Sequence, residues 1–215
     1  MRVLLGISGA SGAVYGVRCA SLLLSREVEL HIVATKTAWG ILSDEVGDGK
    51  APVALEDRHR WLAEIISASR PFRLYADDDF RIPFASGSNP PDAMIVAPCS
   101  MGTVGRIASG VSSSVLTRCA DVVIKERRPL VLVTRETPLS VIHLENMLSL
   151  ARAGADIFPA CPGFYHRPES VSDLVDFVAA RALSRIGIDT GAFPRWGEEY
   201  GGPSVTTPPD RVNRR

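Results

Sequence analysis

Short apolar, β-branched runs alternate along this chain with longer stretches in which apolar positions recur every three or four residues. That alternation is the sequence form of a parallel sheet with helices on both faces. Candidate strands are Val3 to Ile7, Glu29 to Ala34, Ala93 to Ala97, Leu130 to Val133 and Asp156 to Phe158. Helical periodicity fills Ala13 to Ser25, Ser114 to Glu126, Ser140 to Ala153 and Val171 to Ile186. The helix from Ser140 follows Pro138 and stops at Gly154, a fitting start and stop pair. Between Val46 and Pro91 the pattern loosens, with a helical piece around Arg60 to Ala68 and an acidic run at Asp77 to Asp79. This stretch reads as an excursion from the sheet and not as a second domain. The expected fold is α/β, a three-layer doubly wound parallel sheet of Rossmann-like or flavodoxin-like type, forming a single domain over residues 1–200. The polar, proline-rich stretch Gly201 to Arg215 has hardly an apolar anchor and predicts a disordered tail.

Composition narrows the chemistry. An apolar fraction of 46% is ample for a packed core, and basic and acidic residues balance at 24 each. A net charge near zero gives no reason to expect nucleic acid or an anionic membrane surface, so any basic site must be local. Cys19, Cys99, Cys119 and Cys161 are widely spaced without a CxxC pair, which favours reduced thiols in a cytoplasmic protein. The start, Met1 to Gly6, turns glycine-rich too soon for a signal peptide, and no apolar run approaches a membrane span.

Three segments carry candidate chemistry. The turn Gly6-Ile7-Ser8-Gly9-Ala10-Ser11-Gly12 lets backbone approach a ligand closely, and the following helix aims its first N–H groups at an anion. Its spacing is neither GxGxxG nor GxxxxGK[ST], which weakens the dinucleotide and P-loop readings. A turn that merely joins strand to helix has the same composition, so this turn alone decides nothing. Pro98-Cys99-Ser100-Met101-Gly102-Thr103 forms a second small-residue turn at the same sheet edge, where Ser100 also suits an ordinary helix N-cap. The third segment is Lys125-Glu126-Arg127-Arg128-Pro129, an apolar strand, then Arg135-Glu136-Thr137-Pro138. It is expected to gather excess positive charge at the carboxyl edge of the sheet, with a phosphate as guest. Arg118 and Lys125 share one helix face, which on the plainer reading is a solvated charged one; Glu136 is either an ion-pair partner or a proton donor; Tyr165 and Arg181 could both reach one anion, the plainer readings being a packed loop aromatic and a surface ion pair. His166 stands without a cluster of ligands around it, so no metal is expected.

Gly9-Ala10-Ser11-Gly12, Ala97-Pro98-Cys99-Ser100, Ala120-Asp121-Val122 through Lys125-Glu126-Arg127-Arg128-Pro129-Leu130, Arg135-Glu136-Thr137-Pro138 and Gly163-Phe164-Tyr165-His166 together resemble the UbiX-type flavin prenyltransferases. The resemblance runs from Val3 to about Gly197. It implies a homo-oligomer, a dodecamer, that binds reduced FMN between subunits. It further implies that Gly9, Ala10, Ser11, Thr35, Ser100, Met101, Gly102, Thr103 and Arg135 hold the flavin. Lys125, Tyr165, Arg181 and Arg118 match positions that bind the phosphate of dimethylallyl monophosphate. Ser11 and Glu45 match groups near flavin N5, Glu136 an acid-base residue, and Trp196 an aromatic that covers the prenyl cation. The implied product, prenylated FMN, serves a UbiD-type decarboxylase.

Three other readings compete, one of them a decarboxylase of ubiquinone synthesis, whose carboxylate substrate pocket the sequence does not identify. The related flavin-dependent cysteine decarboxylases carry an early catalytic histidine and a PxMNxxMW-type motif, neither of which is present here. A non-enzymatic flavin carrier would have no use for the Lys125, Glu136, Tyr165 and Arg181 set.

Overall fold

The computed structural model describes residues 1–191, so Trp196 and the 201–215 tail lie outside the described residues. The strands are β1 (Arg2–Ile7), β2 (Glu29–Ala34), β3 (Arg73–Tyr75), β4 (Ala93–Cys99), β5 (Leu130–Thr134) and β6 (Asp156–Pro159). The helices are α1 (Ala13–Leu24), α2 (Lys36–Glu45), α3 (Leu55–Ile65), α4 (Met101–Ala108), α5 (Val115–Lys125), α6 (Val141–Arg152) and α7 (Val171–Ser184). All pairings are parallel, in the order β3-β2-β1-β4-β5-β6.

Alternation along the strands builds the layers. Val3, Leu5, Ile7, Ile95 and Val131 pack with α1, α2, α3 and α7 on one face. Leu4, Met94, Val96 and Leu132 pack with α4 and α5 on the other. This is the expected three-layer sheet. Without the short edge strand β3, the order would be the flavodoxin-like one; with it, the order is that of a Rossmann sheet. The 46–91 stretch is therefore not wholly an excursion, because β3 pairs with β2.

Several elements differ from expectation for local reasons. The helical piece lies at Leu55–Ile65, not Arg60 to Ala68. The helices α2 and α4 were not legible as such, because Gly40 interrupts one and Gly102 and Gly105 weaken the other. Burial of Met101, Val104 and Ile107 at helical spacing, together with the Ser100 cap, overrides that low propensity. In β4 the register to β5 shifts between Val96 and Cys99, where Pro98 has no N–H for the ladder.

Close packing fixes α1 over the switch between β1 and β4. A Cβ on Gly16 would run into the Ala97 carbonyl oxygen, which is backbone and cannot swing aside. Gly16→Ala is expected to destabilise the fold by about 3 kcal/mol, the upper end for overpacking a core. A urea midpoint unchanged from wild type would show that α1 can slide.

Candidate active site

The sheet reverses strand order between β1 and β4, so the loops that leave them part and open a crevice at the carboxyl edge. Hydrogen bonds tie its rim together. Ser8 donates through N and Oγ to the Pro98 carbonyl at 3.2 and 2.9 Å, and the Ser100 N–H donates back to Ser8 Oγ at 2.8 Å. The Thr35 N–H reaches the Ile7 carbonyl at 2.9 Å, and the Arg135 N–H the Cys99 carbonyl at 3.1 Å. Arg135 Nε donates to the Ser11 carbonyl at 3.0 Å, closing a contact between residues 124 apart in sequence. Gly9, Ala10, Ser11, Thr35, Ser100 and Arg135 are thus gathered on one rim.

Each has a structural duty as well. Thr35 Oγ1 caps α2 by accepting from the Ala38 N–H at 3.2 Å. Ser100 Oγ caps α4 by accepting from the Thr103 N–H at 3.3 Å, and it lies 3.0 Å from Thr103 Oγ1. Met101 and Thr103 are buried while Gly102 faces solvent. A Cβ on Gly9 would collide with Thr37 Oγ1, so the first turn must carry glycine to lie against the start of α2.

One expectation about this turn is corrected. The first N–H groups of α1 do not face an open anion site, because Glu45 at the end of α2 fills it. Its Oε2 accepts from the Gly12 and Ala13 N–H groups at 2.8 Å each. Gly12, at φ 102, has no side chain to cap the helix, and Glu45 supplies the missing cap from outside. Burial pushes the Glu45 pKa up, but hydrogen bonds from the Ser11 hydroxyl and the Ala13 and Gly12 N–H groups, with the Arg135 charge, hold it below its ordinary value.

A depressed carboxylate pKa stabilises the fold above the ordinary value, and that contribution is lost as pH falls through the folded-state value. The stability difference between wild type and Glu45→Gln is therefore expected to shrink as pH drops from neutrality to below the ordinary value of 4.5. Urea midpoints across that range measure it. A difference constant with pH would remove the charge from the cap.

The second correction concerns the basic run. Lys125 ends α5 and precedes β5, so Lys125 to Arg128 lie at the amino edge of the sheet, and only Arg135 and Glu136 reach the carboxyl edge. The sheet also separates the phosphate set, because α5 packs on one face and α7 on the other. Within one chain Arg118 and Lys125 therefore do not meet Tyr165 and Arg181. Arg118 instead donates to the Ala85 carbonyl at 3.0 Å and to Asp121 at 2.8 Å, and Lys125 pairs with Glu126 at 2.5 Å. Tyr165 packs edge-on against Phe177 of α7, one turn before the exposed Arg181. Glu136 is exposed and forms no ion pair among the described residues; its Oε1 accepts only from the Thr137 N–H at 3.3 Å.

Cys99, the cysteine beside the crevice, is buried, and burial pushes its thiol up to about 12, which favours the protonated form at neutral pH. No group of three or more metal-ligating side chains comes together among the described residues. Nor is any described helix long and apolar enough to cross a membrane.

Comparison with known proteins matches this geometry to a family. The Flavoprotein family profile matches residues 1–183. The flavin prenyltransferase UbiX of Pseudomonas aeruginosa is 46% identical over 200 residues, covering 93% of this chain and 95% of that protein. Its counterpart from Methanothermobacter thermautotrophicus is 44% identical over 194 residues, covering 90% and 94%. Among solved structures, AnUbiX (PadA1) in complex with FMN and dimethylallyl pyrophosphate superposes with a TM-score of 0.79 at 40% identity, covering 91% of this chain and 96% of that one. A dodecameric FMN-dependent UbiX-like decarboxylase from Escherichia coli O157:H7 gives the same TM-score and identity, covering 91% and 99%. The cysteine decarboxylase TvaF, at 19% identity and TM-score 0.56, shares the fold alone. With its strand-end crevice, its rim of small and hydroxylic residues and these relatives across nearly its whole length, the chain belongs to the flavoprotein family, among the UbiX-type flavin prenyltransferases.

Proposed function

We propose that this enzyme joins the dimethylallyl group of dimethylallyl monophosphate to N5 and C6 of reduced FMN, making prenylated FMN for a UbiD-type decarboxylase. The observation that carries the reading is the convergence of Ser11, Thr35, Ser100 and Arg135 on one crevice, in a chain 40% identical to a protein crystallised with FMN and dimethylallyl pyrophosphate. The donor set fits a flavin mononucleotide: hydroxyls, turn N–H groups and one guanidinium suit a single phosphate and a polar ring edge. Bound reduced FMN supplies the nucleophilic nitrogen and carbon.

The chain's residues do the rest. Gly9 to Ser11, Thr35, Ser100 to Thr103 and Arg135 orient the cofactor. Lys125, Tyr165, Arg181 and Arg118 hold the departing phosphate, whose negative charge grows as the allylic carbon–oxygen bond breaks. Glu136, free of ion pairs among the described residues, passes a proton to that phosphate or takes one during ring closure. Ser11, whose hydroxyl proton is given to the Glu45 carboxylate that caps α1, would stand near N5 with its oxygen lone pairs as acceptors. Trp196 shields the allylic cation by its π face.

The separation of Lys125 from Arg181 by the sheet supports a site built between copies. So does α6, which leaves Val141 and Ile142 at 69% and 68% exposure and Leu144 and Leu148 at 51% each, an apolar stripe suited to a second subunit. The dodecameric assembly of the E. coli relative supports a dodecamer. Buried free Cys19, Cys99 and Cys119 suit the reducing cytoplasm. The test is to incubate the protein anaerobically with reduced FMN and dimethylallyl monophosphate, or the diphosphate, and weigh the released flavin. A gain of one five-carbon prenyl unit is expected; a flavin of unchanged mass, with carbon dioxide released from a carboxylate substrate instead, would replace this reading by a decarboxylase.

A further inference from the structure

We propose that a cavity at the amino edge of the sheet, the opposite edge from the same chain's own flavin crevice, binds the diphosphate group of a small metabolite. The cavity has a volume of about 570 Å³ and is walled by Arg127, Arg128, Arg152 and Arg185, with Asp156 as its one acid and Ile124, Pro129 and Leu130 as an apolar side. Arg185 is committed to Asp156 through two hydrogen bonds of 3.0 and 3.1 Å. Arg127, Arg128 and Arg152 have no carboxylate partner among the described residues.

The plain alternative is that these arginines only complement helix ends, since α5, α6 and α7 all finish here. Each end carries roughly half a negative charge. Three such ends and Asp156 still leave the four guanidiniums in excess, so the cavity is an anion's environment. Backbone geometry gives an internal control. The left-handed position after a helix favours glycine, and α6 and α7 use it, with Gly154 at φ 96 and Gly187 at φ 81. At the corresponding place after α5 stands Arg127, at φ 53, its N–H bonded to the Ile124 carbonyl at 3.0 Å. Helix termination would be served better by glycine; the arginine puts a guanidinium into the cavity at a conformational cost. Guanidiniums from the turn between α5 and β5, Arg127 and Arg128, and from the end of α6, Arg152, line one cavity and can act as forks on a multiply charged phosphate. The volume leaves room for an organic body against the apolar wall.

Calorimetry on the enzyme loaded with oxidised FMN tests this, with dimethylallyl monophosphate present in excess to fill the prenyl-phosphate site. Pyrophosphate and ADP are the probes. Wild type is expected to bind one probe per chain, and Arg127→Gly combined with Arg152→Ala to weaken it at least tenfold, while Tm without probe stays level or rises because glycine suits φ 53. Tighter binding of ADP than of pyrophosphate assigns a nucleotide-like body; the reverse assigns the free diphosphate. Arg128→Gln, which leaves the left-handed position untouched, should weaken binding in the same direction. The proposal is overturned if neither probe binds, if binding survives these changes, if it is lost in Arg181→Ala instead, or if the double variant changes the sedimenting mass, which would make this face a contact between copies.

Discussion

Arg181→Ala and Lys125→Ala are each expected to cut prenyl transfer by roughly 30-fold to several thousandfold while leaving FMN bound, since removing one charged partner of a desolvated ion contact costs about 2 to 5 kcal/mol. Tyr165→Phe should be milder, because it deletes a single neutral hydrogen bond. The structure adds a sharper expectation. Lys125 and Arg181 stand on opposite faces of one sheet, so a clamp that uses both takes them from different copies. Unfolding the two inactive variants together and reassembling them should then restore activity at about a quarter of the sites, where an intact lysine from one copy meets an intact arginine from another. Single-turnover prenylation of the mixed oligomer measures this. Mixtures as dead as their parents would mean that the two residues do not share a site, and that Lys125 serves only its pair with Glu126.

That arrangement was partly legible beforehand. In a parallel sheet every residue just before a strand lies at the amino edge, so the position of Lys125 to Arg128 follows from β5 itself; adjacency in sequence to Arg135 obscured it. The strands β1, β2 and β5 stand within a residue of their apolar runs, because burial on both faces demands uninterrupted hydrophobic sequence. The helices α2 and α4 carry glycines that mask them locally, and tertiary burial decides in their favour. The contacts that build the crevice had no local signal at all. Glu45 reaches Gly12 from 33 residues away and Arg135 reaches Ser11 from 124, and neither distance leaves a mark in the periodicity. The family resemblance nonetheless implies a role for both, Arg135 within the Arg135-Glu136-Thr137-Pro138 motif and Glu45 outside every one of the motifs.

Glu136→Gln is expected to keep the fold and the flavin but slow prenyl transfer by about 10²- to 10⁴-fold, the range for losing a positioned acid or base. Two features favour the proton over a structural role. Arg135, the adjacent cation, is turned to the Ser11 carbonyl, so the pair does not neutralise itself. The Glu136 carboxylate is exposed at the carboxyl edge and, among the described residues, holds only the N–H of its own neighbour Thr137, so the amide costs no buried contact and Tm should stay within a degree or two. The signature is kinetic. A residue that passes a proton to the leaving phosphate gives wild type a pH-dependent single-turnover rate that the glutamine variant flattens, whereas a residue that merely shapes the rim lowers the rate equally at every pH. Equal pH profiles for the two proteins, whatever their absolute rates, would take Glu136 out of the acid-base step and leave the departing phosphate to be neutralised by the clamp alone.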